Sequence, residues 1–89
     1  MNAMETQSAF AVKENKKNRF YLSIQESSEG GWDYSIFSSV GDLIDGGLLE
    51  DEVDIYTAAE TIVEMFPELF GRDPDVDEVD YEGLQEFLA

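Results

Sequence analysis

Two apolar rhythms divide this chain near Asp54, and that change of rhythm limits the fold more than any other feature. Before it, apolar residues recur every second position. Phe20, Leu22 and Ile24 fall on one side of a run whose other side is Tyr21, Ser23 and Gln25, and Trp32, Tyr34 and Ile36 alternate with Asp33, Ser35 and Phe37. A period of two is that of a half-buried strand. Between the runs, Ser27-Ser28-Glu29-Gly30-Gly31 supplies turn chemistry, so residues 19–38 read as a β-hairpin. After a second turn at Val40-Gly41-Asp42, Leu43 to Glu50 reads as a third strand. Its Gly46-Gly47 pair points to a bulge or a close backbone approach.

From Asp54 the spacing lengthens. Ile55, Ala59, Ile62, Val63, Phe66 and Phe70 follow the stripe of an amphipathic helix. Asp54 is placed to cap it, with Thr57 and Glu60 as an alternative capping box. Pro67 lacks the amide N–H donor that a helix interior needs, so regular helix should stop or kink near Phe66. Gly71 to Asp80 reads as a loop. The stretch from Val79 or Asp80 to Leu88 reads as a short second helix, weakened by Gly83 at a cost of about 1 kcal/mol. The expected fold is α+β: a small three-stranded antiparallel sheet, made of the hairpin plus a third strand, packed by one main helix, with a short C-terminal helix.

Charge is distributed unevenly along this framework. From Phe20 to Ala89 there are nineteen acids and one cation, Arg72, a net of −18. The first nineteen residues carry Lys13, Lys16, Lys17 and Arg19 against Glu5 and Glu14, a net of +2. Residues 1–18 therefore read as a flexible basic N-terminal arm, and 19–89 as a single small α+β domain. So acidic a body repels nucleic acid and anionic membrane and attracts basic surfaces, so a basic protein partner is expected. At 43% hydrophobic residues the acidity belongs to a globule, not a solvating tail. Oligomeric state stays open, since an edge strand favours association and charge opposes it.

The residue inventory excludes several chemistries. There is no Cys and no His, which removes disulfides, thiolate metal sites and the commonest general base. No apolar run is long enough to span a membrane, and the N-terminus lacks the order of a signal peptide. A cytoplasmic protein without enzymatic activity is expected, with no cofactor.

Three clusters remain as site candidates. Asp73, Asp75 and Asp77 copy the first positions of a calcium loop, with Asp80 and Glu82 available to complete a loose oxygen cage. The pattern then fails: Glu78 stands where that loop needs Gly, and Leu84 where it needs a bidentate Glu. Weak calcium or magnesium binding is the most it supports. Glu50, Asp51 and Glu52 form an acidic knot before the main helix, either complementing its N-terminus or rimming an interaction surface. Tyr21 and Phe37 lie on the sheet face turned away from that helix. If nothing covers that face, they form an apolar patch in an acidic field, the signature of a protein-binding surface.

The blocks Phe20-Tyr21-Leu22-Ser23-Ile24-Gln25-Glu26, Gly31-Trp32-Asp33-Tyr34-Ser35-Ile36, Leu43-Ile44-Asp45-Gly46-Gly47 and Asp54-Ile55 with Ala58-Ala59 resemble the large polyvalent protein-associated domain numbered sixteen in its series. The resemblance covers about residues 19–66 and leaves the chain from Pro67 unassigned. It implies a setting in proteins of phages and conjugative elements, and it carries over no catalytic residue. Two readings stand beside an accessory module docking a basic partner. One is a nucleic-acid mimic that inhibits a DNA-binding protein. The other is a weak divalent-cation-binding domain.

Overall fold

The computed structural model describes residues 6–14, 17–71 and 73–89. Its strands are β1 (Gln7–Glu14), β2 (Lys17–Glu26), β3 (Trp32–Ser38), β4 (Leu43–Leu49) and β5 (Asp75–Val79). Its helices are α1 (Ile55–Met65), α2 (Pro67–Phe70) and α3 (Tyr81–Leu88). The strands form one antiparallel sheet in the order β4-β3-β2-β1-β5. The class is α+β, but the expected three-stranded sheet is corrected to five strands. One of the two extra strands, β1, comes from the segment expected to be a flexible arm, and the other, β5, from the segment expected to be a loop. The parts of that arm at 1–5 and 15–16 lie outside the described residues.

β1 did not read as a strand because it does not alternate. Ser8 through Val12 are buried without interruption. A strand covered on both faces has no polar side, so its sequence is a continuous run of small and apolar residues. Phe10 and Val12 join the core of the α1 face, with Leu22, Ile24, Trp32, Tyr34, Ile36 and Leu49 from the other strands. Ala9 and Ala11 take the second face, where their small side chains let α3 approach β1 closely.

α1 begins where the sequence places it. Asp54 accepts a hydrogen bond from the Thr57 amide at 3.3 Å, and the helix ends at Met65, two residues before Pro67. Ile55, Ala58, Ala59, Ile62 and Val63 face the sheet. Fully burying a side chain the size of Ile62 or Leu22 contributes roughly 2 kcal/mol. Phe66 and α2 then close one end of the core through edge-on ring contacts, Phe70 with Phe20 at 5.3 Å and Tyr34 with Phe66 at 6.1 Å.

The paired glycines of β4 serve close approach. A Cβ on Gly46 would lie 2.9 Å from the Tyr34 carbonyl oxygen, and one on Gly47 would lie 2.9 Å from the Tyr34 hydroxyl. The register shift falls elsewhere, opposite Ile36 and Phe37, and leaves Ile44 as the extra residue.

α3 docks on the face of the sheet opposite α1. Tyr81 donates to Gln25 at 3.4 Å and Gln85 to Ser23 at 3.5 Å, while the Phe87 ring packs on Tyr21. That face is thus covered at Tyr21, and the domain has three layers: α1 with α2, the sheet, and α3.

Candidate functional site

The sheet is wider than the helix above it. Five strands at about 4.8 Å spacing place the outer pair roughly 19 Å apart, whereas a helix with its side chains is about 10 Å across. α1 lies over β1 and β2. On the β5 side this overhang opens a cleft of about 880 Å³.

One wall of the cleft is a single stripe of α1, Tyr56, Ala59, Glu60, Val63 and Glu64, at helical spacing. The facing wall is the approach to β5, with Gly71, Asp73, Pro74, Asp75 and Val76, and Phe10 and Pro67 complete the lining. Ala59, Val63 and Phe10 give it an apolar floor, while Glu60, Glu64, Asp73 and Asp75 are exposed along its sides. Glu78 of β5 is bonded to the Tyr56 wall. Its carboxylate accepts from the Ser8 hydroxyl and, at 3.1 Å, from the Tyr56 hydroxyl. Phe10 meets the Tyr56 ring edge-on at 6.1 Å, which fixes that phenol from below.

With five cations against twenty-one acids in the whole chain, one-to-one pairing would leave sixteen acids unneutralised. One of those cations, Lys13, is paired with Asp77 at 3.0 Å, on the face of β5 away from α1. A cation entering the cleft would meet several negative charges at once and could lay its aliphatic stem on Val63 and Val76.

The structure separates the residues of the calcium-like segment. Asp73 and Asp75 reach the cleft, Asp77 pairs with Lys13, and Asp80 caps α3 by accepting from the Gly83 amide at 3.0 Å. Glu82 is exposed in the first turn of α3. Among the described residues no group of three or more Asp, Glu, His or Cys side chains is placed to hold a metal ion. Tyr21 lies beneath Phe87, with ring centroids 5.6 Å apart, and Phe37 is half-buried between Tyr21 on β2 and Leu43 on β4. Glu50, Asp51 and Glu52 are exposed in the link from β4 to α1, and Glu50 and Glu52 border a hollow shared with Glu29 and Leu48.

Tyr56, Glu60 and Glu64 of the cleft, and Glu78 bonded to it, are not site candidates in the sequence. A signal existed for two of them. Glu60 and Glu64 are like charges four apart on one helix, an arrangement that opposes helix formation by a few tenths of a kcal/mol. Glu78 carried none, because its role depends on the pairing of β5 with β1.

The chain belongs to the family of large polyvalent protein-associated domain 16, whose profile matches residues 3–89. The match takes in both the N-terminal segment that forms β1 and the stretch after Pro67 that forms β5 and α3. No curated protein and no solved structure matches the chain. Among the described residues no helix is long and apolar enough to cross a membrane.

Proposed function

We propose that this domain is a non-enzymatic, acidic interaction module that docks a basic segment of a partner protein in the cleft between α1 and β5. The observation that carries the reading is the composition of that cleft: Glu60, Glu64, Asp73 and Asp75 beside an apolar floor of Ala59, Val63 and Phe10. Lys and Arg suit such a site because each joins an apolar stem to a cationic head. The rest of the exposed acidity would steer a basic partner toward the domain before contact, an effect that salt weakens. The setting implied by the resemblance makes the partner a protein handled by a mobile genetic element, met in the cytoplasm.

The test is a titration of the isotope-labelled protein with a short Lys- and Leu-containing peptide and with its Glu-for-Lys counterpart, followed by amide shifts. The reading expects saturable shifts at Tyr56–Glu64 and Asp73–Val76 with the basic peptide alone, reduced by Glu60→Gln with Glu64→Gln. Equal response to both peptides, or shifts that ignore α1 and β5, would remove it.

A further inference from the structure

The two edges of the sheet differ. Edge strands present a row of backbone donors and acceptors, and soluble proteins blunt them with charge, brevity or cover. β5 is blunted: it has five residues, three of them Asp75, Asp77 and Glu78. β4, on the other edge, has seven residues with Asp45 as its one charge. It pairs with β3, and among the described residues no strand lies beyond it. Three of its four apolar side chains are left in solvent, Leu43 at 67%, Ile44 at 42% and Leu48 at 41% exposure, with Val40 beside them at 75%, while Leu49 enters the core.

β4 is also shaped to admit another backbone. The bulge at Ile44 disturbs its first residues, but pairing is regular from Asp45 to Leu49. Within that stretch Gly46 and Gly47 raise no side chain of their own, and the Tyr34 hydroxyl fills the space beside Gly47. The result is a level strip with Ile44 and Leu48 at its two ends.

We propose that β4 is a strand-addition site, taking as a sixth strand an extended segment of a partner protein in which apolar and basic residues alternate. Charge decides the occupant. Asp42 stands just before the strand, Asp45 within it, and Glu50, Asp51 and Glu52 just after it. A second copy pairing antiparallel along the whole of β4 would set Leu43 against Leu49 and therefore Asp42 against Glu50 at both ends. Like charges directly opposite in a sheet are destabilising, and each copy brings a net charge of −16. Lys or Arg at the same positions would be attracted instead. Backbone hydrogen bonds would supply the affinity, and contacts to Leu43, Ile44 and Leu48 the selectivity. This edge lies across the sheet from the α1–β5 cleft, so the two surfaces stand or fall separately.

The experiment uses a fluorescent peptide alternating Lys and Val, its Glu–Val counterpart, and two N-methylated forms of the Lys–Val peptide. One form is methylated on the Lys amides and the other on the Val amides. Amides of alternate residues in a strand point the same way, so one form loses the bonds to β4 and the other keeps them. The expected result is binding of the Lys–Val peptide at least about tenfold tighter than Glu–Val, loss of about tenfold or more in one methylated form only, and amide shifts centred on Ile44 to Leu48. Leu48→Lys, at an exposed position, should weaken binding while leaving the melting curve in place.

Equal effects of the two methylated forms, undiminished binding to Leu48→Lys, or no binding would overturn the proposal. Shifts confined to α1 and β5 would overturn it while supporting the cleft. A dimer in sedimentation that the peptide does not dissociate would put a second copy on the edge, and would overturn it too.

Discussion

The Tyr21 and Phe87 rings pack with centroids 5.6 Å apart and planes inclined at 57°, tying the last turn of α3 to the middle of β2. This contact covers the second face of the sheet at Tyr21. Phe87 is 50% exposed, so it gives up only part of its surface to the contact. Phe87→Ala should therefore destabilise by about 1.5 kcal/mol, less than a fully buried Phe would. A denaturant melt checks the magnitude, and faster amide exchange in α3 than in α1 would show the loss to be local. An unchanged melt would mean that α3 is held without the ring pair.

Gly30 and Gly31 share a turn and a backbone region, yet substitution should separate them. Both have positive φ, +94° and +77°, where a side chain is strained. A Cβ on Gly30 meets nothing within 4 Å, whereas one on Gly31 would run into the Leu49 carbonyl oxygen at the end of β4. Gly30→Ala should cost about 1 kcal/mol, and Gly31→Ala about 3 kcal/mol. Paired urea melts decide this, and equal costs would show that strain alone governs the turn.

The parts of the fold legible in the sequence are those determined by neighbours along the chain. The β2–β3 hairpin follows from alternation around Gly30-Gly31, α1 from its stripe and Asp54, and the short α3 from Asp80 and Leu84. β1 and β5 depend on each other across the chain. Ala9–Val12 has the uninterrupted apolar run of a central strand, but its covering comes from α3 on one face and α1 on the other. β5 is too acidic to suggest a strand, and it is held by bonds to β1 and by Lys13 reaching Asp77. The contrast between a basic N-terminal segment and an acidic body, read from sequence as a statement about partners, is thus used in part within the fold. The cleft was hidden for the same reason. Glu60 and Glu64 are visible on a helical wheel, but the segment from Asp73 to Val76 comes to line the cleft beside them only once β5 has joined the sheet.

Tyr34 should leave a mark on alkaline stability. Burial, and then the nearby Asp45 carboxylate, raise its phenol above the ordinary value of 10.0. Above pH 10 the unfolded chain gives up this proton first, while the fold still holds it. The contribution is fully present below pH 10.0 and is lost as pH rises through the raised pKa. Melting temperature should therefore fall on the alkaline side, and Tyr34→Phe should fall less steeply there. Parallel slopes for the two proteins would show that other groups set the alkaline limit.

Salt and calcium should act differently on this domain. A net charge of −16 on 89 residues makes self-repulsion a standing cost, and sodium chloride relieves it, so melting temperature should rise with ionic strength. Calcium at matched ionic strength should add no further rise. Asp77 already faces Lys13, Asp80 is engaged as the cap of α3, and Asp73 and Asp75 lie beside the cleft, so a cation would have to break existing contacts to gather its ligands. Asp80→Ala supplies the internal control: it should destabilise by about 1 kcal/mol through the lost cap, by the same amount with and without calcium. A calcium-specific rise in the unaltered protein that Asp80→Ala abolishes would show instead that the 73–82 segment rearranges around the ion, and the cap would then compete with a genuine site.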